Sequence, residues 1–173
     1  LPNVDPDGLL EFSVVYTDRA LNHMSRAFGG VMREISAILK QVYNGHSTAL
    51  VPGSGTFGME AVARQFAGGK DVLVIRNGWF SYRWTQIFDM GAIPATSTVL
   101  KARQQGGDAT SPWAPAPIAE VTEAILQKKP AVVFAPHVET ASGMILPDDY
   151  LAAVAGAVHA VGGLFVLDCI ASG

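Results

Sequence analysis

Residues 131–168 read AVVFAPHVETASGMILPDDYLAAVAGAVHAVGGLFVLD, and the fold is decided there. The apolar run over residues 131–135 is too short for a helix and suits a buried strand. A polar cluster follows, His137-Val138-Glu139-Thr140-Ala141-Ser142-Gly143. Residues 148–161 then read as a helix stopped by Gly162-Gly163. Residues 164–168 form a second buried strand, ending on Asp168. Strand, helix, strand is a βαβ unit, and such a unit belongs to a parallel sheet.

The same alternation runs back toward the N-terminus. Residues 118–127 read as a helix, 94–100 as a strand, 81–90 as a helix and 71–76 as a strand. A helix over 57–67 closes at Gly68-Gly69, and residues 48–51 read as a short strand before it. The fold class is therefore α/β, with a mostly parallel sheet covered by helices on both faces. Residues 101–117, rich in Gly, Pro and Gln, are too long for a simple connection and read as a functional or mobile loop.

Residues 1–18 are turn-rich at Asp5-Pro6-Asp7-Gly8. Leu21, Met24, Phe28, Val31, Ile35, Ile38 and Val42 then recur at helical spacing, placing one apolar face on a long helix that Asn44-Gly45 stops. A core helix is the plain reading, and a dimer-interface helix the sharper one. The chain divides into an N-terminal segment with this helix, residues 1–47, and an α/β part, residues 48–173.

The chain has 173 residues, enough for one well-buried domain. Hydrophobic residues make up 49% and charged ones 16%, so the interior is large and some apolar surface is available to a partner. A net charge of −3 gives no electrostatic reason to expect nucleic acid or an anionic membrane. The single cysteine, Cys169, excludes an intrachain disulfide and a Cys-based zinc site and points to a reducing compartment, the cytoplasm. No apolar run approaches membrane-spanning length. The chain opens on Leu1 rather than Met and stops five residues after a buried strand, so both ends read as cuts in a longer protein.

In parallel sheets, ligands gather at the carboxyl ends of the strands. Gly53-Ser54-Gly55-Thr56 precedes a helix; its glycines admit close approach, and hydroxyls with free helix N–H groups suit a phosphate. Residues 53–58 also match the G-x-G-x-x-G spacing of a dinucleotide site, with Arg76 available to a 2′-phosphate. Asn77-Gly78-Trp79-Phe80 places two aromatics beside a turn, where a flat ligand could stack. His137 and Glu139 lack a third ligand for a metal, and none is expected. Asp168, a carboxylate at the sheet edge, needs a cationic partner to stay ionised or else serves as a helix cap. An anion cradle, an aromatic plate, a hydroxyl donor and a carboxylate match the features of pyridoxal phosphate: phosphate, flat ring, phenolic oxygen and basic nitrogen.

Four segments, in order, resemble class V aminotransferases of fold type I, the alanine–glyoxylate, serine–glyoxylate and serine–pyruvate group. They are Val51-Pro52-Gly53-Ser54-Gly55-Thr56 with Met59-Glu60-Ala61; Gly69-Lys70-Asp71-Val72-Leu73-Val74 with Asn77-Gly78 and Arg83; His137 to Gly143 as H-x-E-[ST]-x-[ST]-G; and Leu167-Asp168-Cys169-Ile170-Ala171-Ser172. The resemblance implies that these residues are part of the large pyridoxal-phosphate-binding domain of such an enzyme. It implies Ser54, Gly55 and Thr56 as phosphate ligands and Phe80 as the stacking ring, with Trp79 as its competitor. It further implies Thr140 near the phenolic oxygen, Asp168 on the pyridine nitrogen and Ile170 on the opposite ring face.

The same resemblance implies a homodimer that exchanges an amino group between a small amino acid, such as alanine or serine, and a 2-oxo acid of the glyoxylate or pyruvate type. Lys40, Lys70, Lys101, Lys128 and Lys129 all lie upstream of Asp168, so the lysine that would hold the cofactor covalently is expected outside this chain, as is the arginine for the substrate carboxylate. The chain alone is therefore expected to be inactive. The alternatives are a lyase or aldolase using the same cofactor, an NADP-binding oxidoreductase domain, and a non-catalytic module.

Overall fold

The computed structural model describes His23 and residues 26–173. The chain falls into two compact units, Leu1–Leu50 and Val51–Gly173. In the first, helix α1 spans Arg26–Val42. Its strongly amphipathic sequence predicts a core-facing stripe, yet none of its residues is buried, and Val31, Ile35, Ile38 and Val42 are all exposed. The core-helix reading is corrected accordingly: periodicity reports that a face exists, not what covers it. Leu21 and Met24 of that stripe lie outside the described residues.

The second unit is built on four parallel strands. In chain order its elements are α2 (Gly55–Phe66), β1 (Asp71–Arg76), α3 (Trp79–Gly91), β2 (Thr96–Lys101), β3 (Arg103–Gln104) and β4 (Trp113–Ala114). They continue with α4 (Ile118–Lys128), β5 (Val132–Pro136), β6 (Val138–Glu139), β7 (Met144–Ile145), α5 (Asp148–Ala160) and β8 (Leu164–Asp168). The main sheet has the order β2-β1-β5-β8, with every pair parallel. The chain leaves β1 for β2 on one side, then crosses to β5 and β8 on the other. The reversal of winding falls between β1 and β5, whose carboxyl ends open a crevice of the kind where ligands bind.

Burial on both faces explains why the central strands β1 and β5 read as continuous apolar runs, whereas β8, expected to be buried, lies at the sheet edge and like β2 is only partly covered. Side chains alternate across the sheet. Leu73, Ile75, Val133 and Ala135 pack with Val121 and Ile125 of α4 and with Tyr150, Val154 and Val158 of α5. Val72, Val74, Val132 and Phe134 pack on the other side with Ala63 of α2 and with Trp84 and Phe88 of α3. There the Phe134 ring lies 4.5 Å from that of Trp84 and 5.1 Å from that of Phe88, centroid to centroid.

Two further expectations change. Residues 48–51 form no strand. Leu50 and Val51 are exposed, and Pro52 removes a donor and holds the residue before it extended, so the run is strand-like in composition but pairs with no strand among the described residues. Residues 101–117 are not a plain loop. β3 and β4 pair antiparallel through Arg103↔Ala114 and Gln104↔Trp113, and Arg103 holds both carboxylate oxygens of Glu120 on α4.

Candidate functional site

Three strand ends and one helix start converge on a cavity of about 770 Å³. Ser54, Gly55, Thr56, Phe80, Thr140, Asp168 and Ile170, the residues that the resemblance implied as cofactor contacts, all line it. His137 and Trp79 do not. No residue of the β3–β4 arm lines it either, so that segment has no part in this cavity.

The cradle begins at Gly53, whose φ of +132° favours glycine and whose missing Cβ leaves room for the Phe57 ring, which a Cβ would meet at 2.6 Å. Ser54 stands at the N-cap of α2, yet its hydroxyl makes no capping bond. The N–H groups of Gly55 and Thr56 open the helix and have no carbonyl partner within it. Free donors therefore remain at a positive dipole end. The turn after β8 closes over this point, because a Cβ on Gly55 would stand 2.6 Å from Ile170 Cδ1.

No strand leads into this cradle. A dinucleotide fingerprint needs a strand immediately before its first glycine, so the spacing of residues 53–58 does not make one. Arg76, the residue that reading needs, is turned instead to Thr85 Oγ1 at 3.4 Å and lies over the Tyr82 ring.

The aromatic turn is organised by a residue from across the crevice. Gly78 is the N-cap of α3 and has no side chain to cap it. Glu139 takes that role: Phe80 N–H donates to Oε1 at 3.0 Å, Ser81 N–H to Oε2 at 2.8 Å and Ser81 Oγ–H to Oε2 at 2.6 Å. The Ser81 hydroxyl in turn accepts from Asn77 N–H and Gly78 N–H. Glu139 is fully buried, and a Cβ on Gly78 would lie 2.7 Å from its Cγ, so the glycine is what admits the carboxylate. This cap was not evident in the sequence. Its signal was a helix headed by glycine together with an isolated acid just beyond the neighbouring strand.

Trp79 and Phe80 are the first two residues of α3, so a helical step, not an extended alternation, separates their directions. Phe80 faces the cavity. Trp79 is exposed and rests against Tyr82, ring centroids 5.8 Å apart. Three residues on, Arg83 also lines the cavity and donates from Nη1 to Thr56 Oγ1 at 2.7 Å.

At the other end, Asp168 closes β8 beside Pro136 of β5. Its Oδ1 accepts from Ile170 N–H at 3.2 Å, and among the described residues Oδ2 takes no hydrogen bond. The carboxylate thus serves its own turn with one oxygen and leaves the other free. His137 is tied to the same turn, through its N–H to Asp168 O and Nδ1 to Ser172 Oγ at 2.7 Å. His137 and Glu139 point to different partners, and no group of three potential metal ligands occurs among the described residues. Burial, opposed by a hydrogen bond with Ser172 and reinforced by the Asp168 charge, holds the Cys169 thiol above its ordinary value. At neutral pH it is therefore a weak nucleophile.

The cavity can accept an anion at the start of α2, a flat group beside Phe80 and a cationic N–H at Asp168. No protein-family profile and no curated protein matches the chain. In fold it is similar to ureidoglycine–glyoxylate aminotransferase from Bacillus subtilis, with a TM-score of 0.73 and 24% identity over 92% of this chain and 38% of that one. It is similar also to alanine–glyoxylate aminotransferase from Nostoc sp., at TM-score 0.70 and 25% identity over 88% of this chain and 38% of that one. Pyridoxamine–pyruvate aminotransferase from Mesorhizobium loti gives 0.70 and 17% identity over 89% and 37%. The chain spans less than two fifths of the length of each of these enzymes. Their fold, a parallel sheet between helical layers, is the one expected from the four segments. No helix among the described residues is long and apolar enough to cross a membrane.

Proposed function

We propose that residues 48–173 are the cofactor-holding part of a pyridoxal-phosphate aminotransferase that moves an amino group from a small donor, alanine or serine, to glyoxylate or pyruvate. One observation carries the reading: residues from four separate segments, chosen for four features of one cofactor, line a single cavity. The chemistry of the donor set fits the group. The unused Ser54 hydroxyl and the opening N–H groups of α2 suit its phosphate, and the free Asp168 Oδ2 suits a protonated ring nitrogen.

In this reading Phe80 covers one ring face, Ile170 the other, and the Thr140 hydroxyl bonds the phenolic oxygen. Asp168 keeps the proton on the ring nitrogen through Oδ2, while the Ile170 N–H on Oδ1 fixes the carboxylate. When bound, the cofactor supplies an electron sink for the charge released at the amino acid's Cα. The covalent lysine, the arginine for the substrate carboxylate and the second subunit of a cytoplasmic homodimer are proposed to come from outside these residues.

The test is amino-group transfer from L-alanine or L-serine to glyoxylate or pyruvate by the whole polypeptide loaded with pyridoxal phosphate. Asp168→Ala should cut turnover by orders of magnitude, and the 173-residue chain alone should transfer nothing. Near-normal turnover in Asp168→Ala, or a single stoichiometric borohydride-reduced adduct on an active 173-residue chain, would overturn the assignment.

A further inference from the structure

Every phosphate donor identified so far is neutral. Backbone N–H groups and hydroxyls, with about half a positive charge at the helix end, face a group that carries close to two negative charges at neutral pH. Among the described residues that line the cavity, Arg83 is the one cation. We propose, on the footing of the reading above, that Arg83 binds the phosphate and makes the site selective for phosphorylated over unphosphorylated ligands.

The geometry supports this in three ways. Arg83 lies one helical turn after Phe80, so cation and ring share a face of α3, and the guanidinium stands 5.9 Å from the ring centroid. Its Nη1 is fixed on Thr56 Oγ1 at 2.7 Å, which brings the charge to the cradle itself. Because Thr56 accepts from Arg83, its own O–H proton is directed elsewhere and is left to donate.

Among the described residues the guanidinium also lacks a counter-charge. The two ion pairs among the described residues, Arg64–Glu60 and Arg103–Glu120, do not include it, and its one hydrogen bond is to a neutral hydroxyl. A half-buried arginine with most of its five donors unused is poorly compensated until an anion arrives. With Asp168 at the opposite end, the cavity carries one positive and one negative side chain. A ligand with a phosphate at one end and a protonated ring nitrogen at the other matches both.

A purely structural role, pinning α3 to α2, is the competing account, and the two separate in binding rather than in stability. The probes are pyridoxamine 5′-phosphate and pyridoxamine, which carry no aldehyde and do not label surface lysines, titrated calorimetrically into the 173-residue chain. The unaltered chain should prefer the phosphorylated probe. Arg83→Gln, which keeps a donor for Thr56 but removes the charge, should lower affinity for pyridoxamine 5′-phosphate by roughly 10- to 100-fold and leave pyridoxamine unchanged. Arg83→Lys, which keeps the charge without the planar fork, should fall between the two.

If the unaltered chain discriminates and Arg83→Gln discriminates equally well, the inference fails while the cofactor reading stands. Equal weakening of both probes by Arg83→Gln, or a lysine variant no better than glutamine, also overturns it in favour of the structural role. If the unaltered chain binds neither probe, the cofactor reading fails and the inference fails with it.

Discussion

Removing the Glu139 carboxylate should unseat the start of α3. In Glu139→Ala, three donors lose their acceptor at a position with no solvent exposure. Ser81 Oγ–H can turn to Gly78 O, 3.3 Å away, so two backbone N–H groups, those of Phe80 and Ser81, are left unpaired. Each unpaired buried donor costs ~1–3 kcal/mol, and relief of the buried carboxylate's own desolvation offsets part of the sum, leaving ~3 kcal/mol. For a chain of this length that corresponds to a fall of roughly 6–12 °C in Tm. Glu139→Gln separates capping from packing. It has nearly the same shape, but its NH₂ must face one of the two N–H groups, so it should lose at least ~2 kcal/mol. Thermal and urea melts give the magnitude, and amide exchange at Phe80 and Ser81 should accelerate locally. A glutamine variant within ~0.5 kcal/mol of the unaltered chain would refute capping by the carboxylate.

Phe80→Ala should weaken pyridoxamine 5′-phosphate binding about tenfold, as loss of one stacked face implies, whereas exposed Trp79→Ala should change binding little and stability by less than ~0.5 kcal/mol. The reverse result would move the plate by one residue. Tyr150 donates from its hydroxyl to Ala116 O at 2.8 Å, and burial, with the Glu120 charge adding to it, pushes its pKa up to about 12. Because the folded state raises this acid's pKa by penalising the phenolate, stability is unaffected by this group below about pH 10 and falls as pH rises toward 12. Tyr150→Phe should be less stable at pH 8 by ~1 kcal/mol and should flatten the alkaline part of the stability curve; an unchanged alkaline slope would remove Tyr150 as its source.

The centre of the main sheet was legible because β1 and β5 are buried on both faces. Leu73 and Val74 need different neighbours but the same chemistry, so the run is apolar throughout and unmistakable. The site was legible for a related reason: it collects at strand ends, where polar residues interrupt such runs. Contacts between segments distant in sequence were not. Nothing adjacent to Gly78 announces that its cap comes from Glu139, and nothing near Thr56 announces Arg83. The run at residues 48–51 misled because extended conformation and strand pairing are different properties, and composition reports only the first. The stripe on α1 misled in the same way, since an apolar face carries no label for what covers it.

The central claim is that the crevice at the strand ends holds a phosphorylated pyridine. Amide chemical-shift mapping of the isotopically labelled 173-residue chain during titration with pyridoxamine 5′-phosphate tests it most directly. The account predicts saturable shifts at Ser54, Gly55, Thr56, Phe80 and Thr140, and at Ile170, whose N–H reports on Asp168. Thr96 and Lys128, beside the small pocket at the strand starts, should stay still. Shifts confined to that opposite end of the sheet, or none at saturating ligand, would contradict the account.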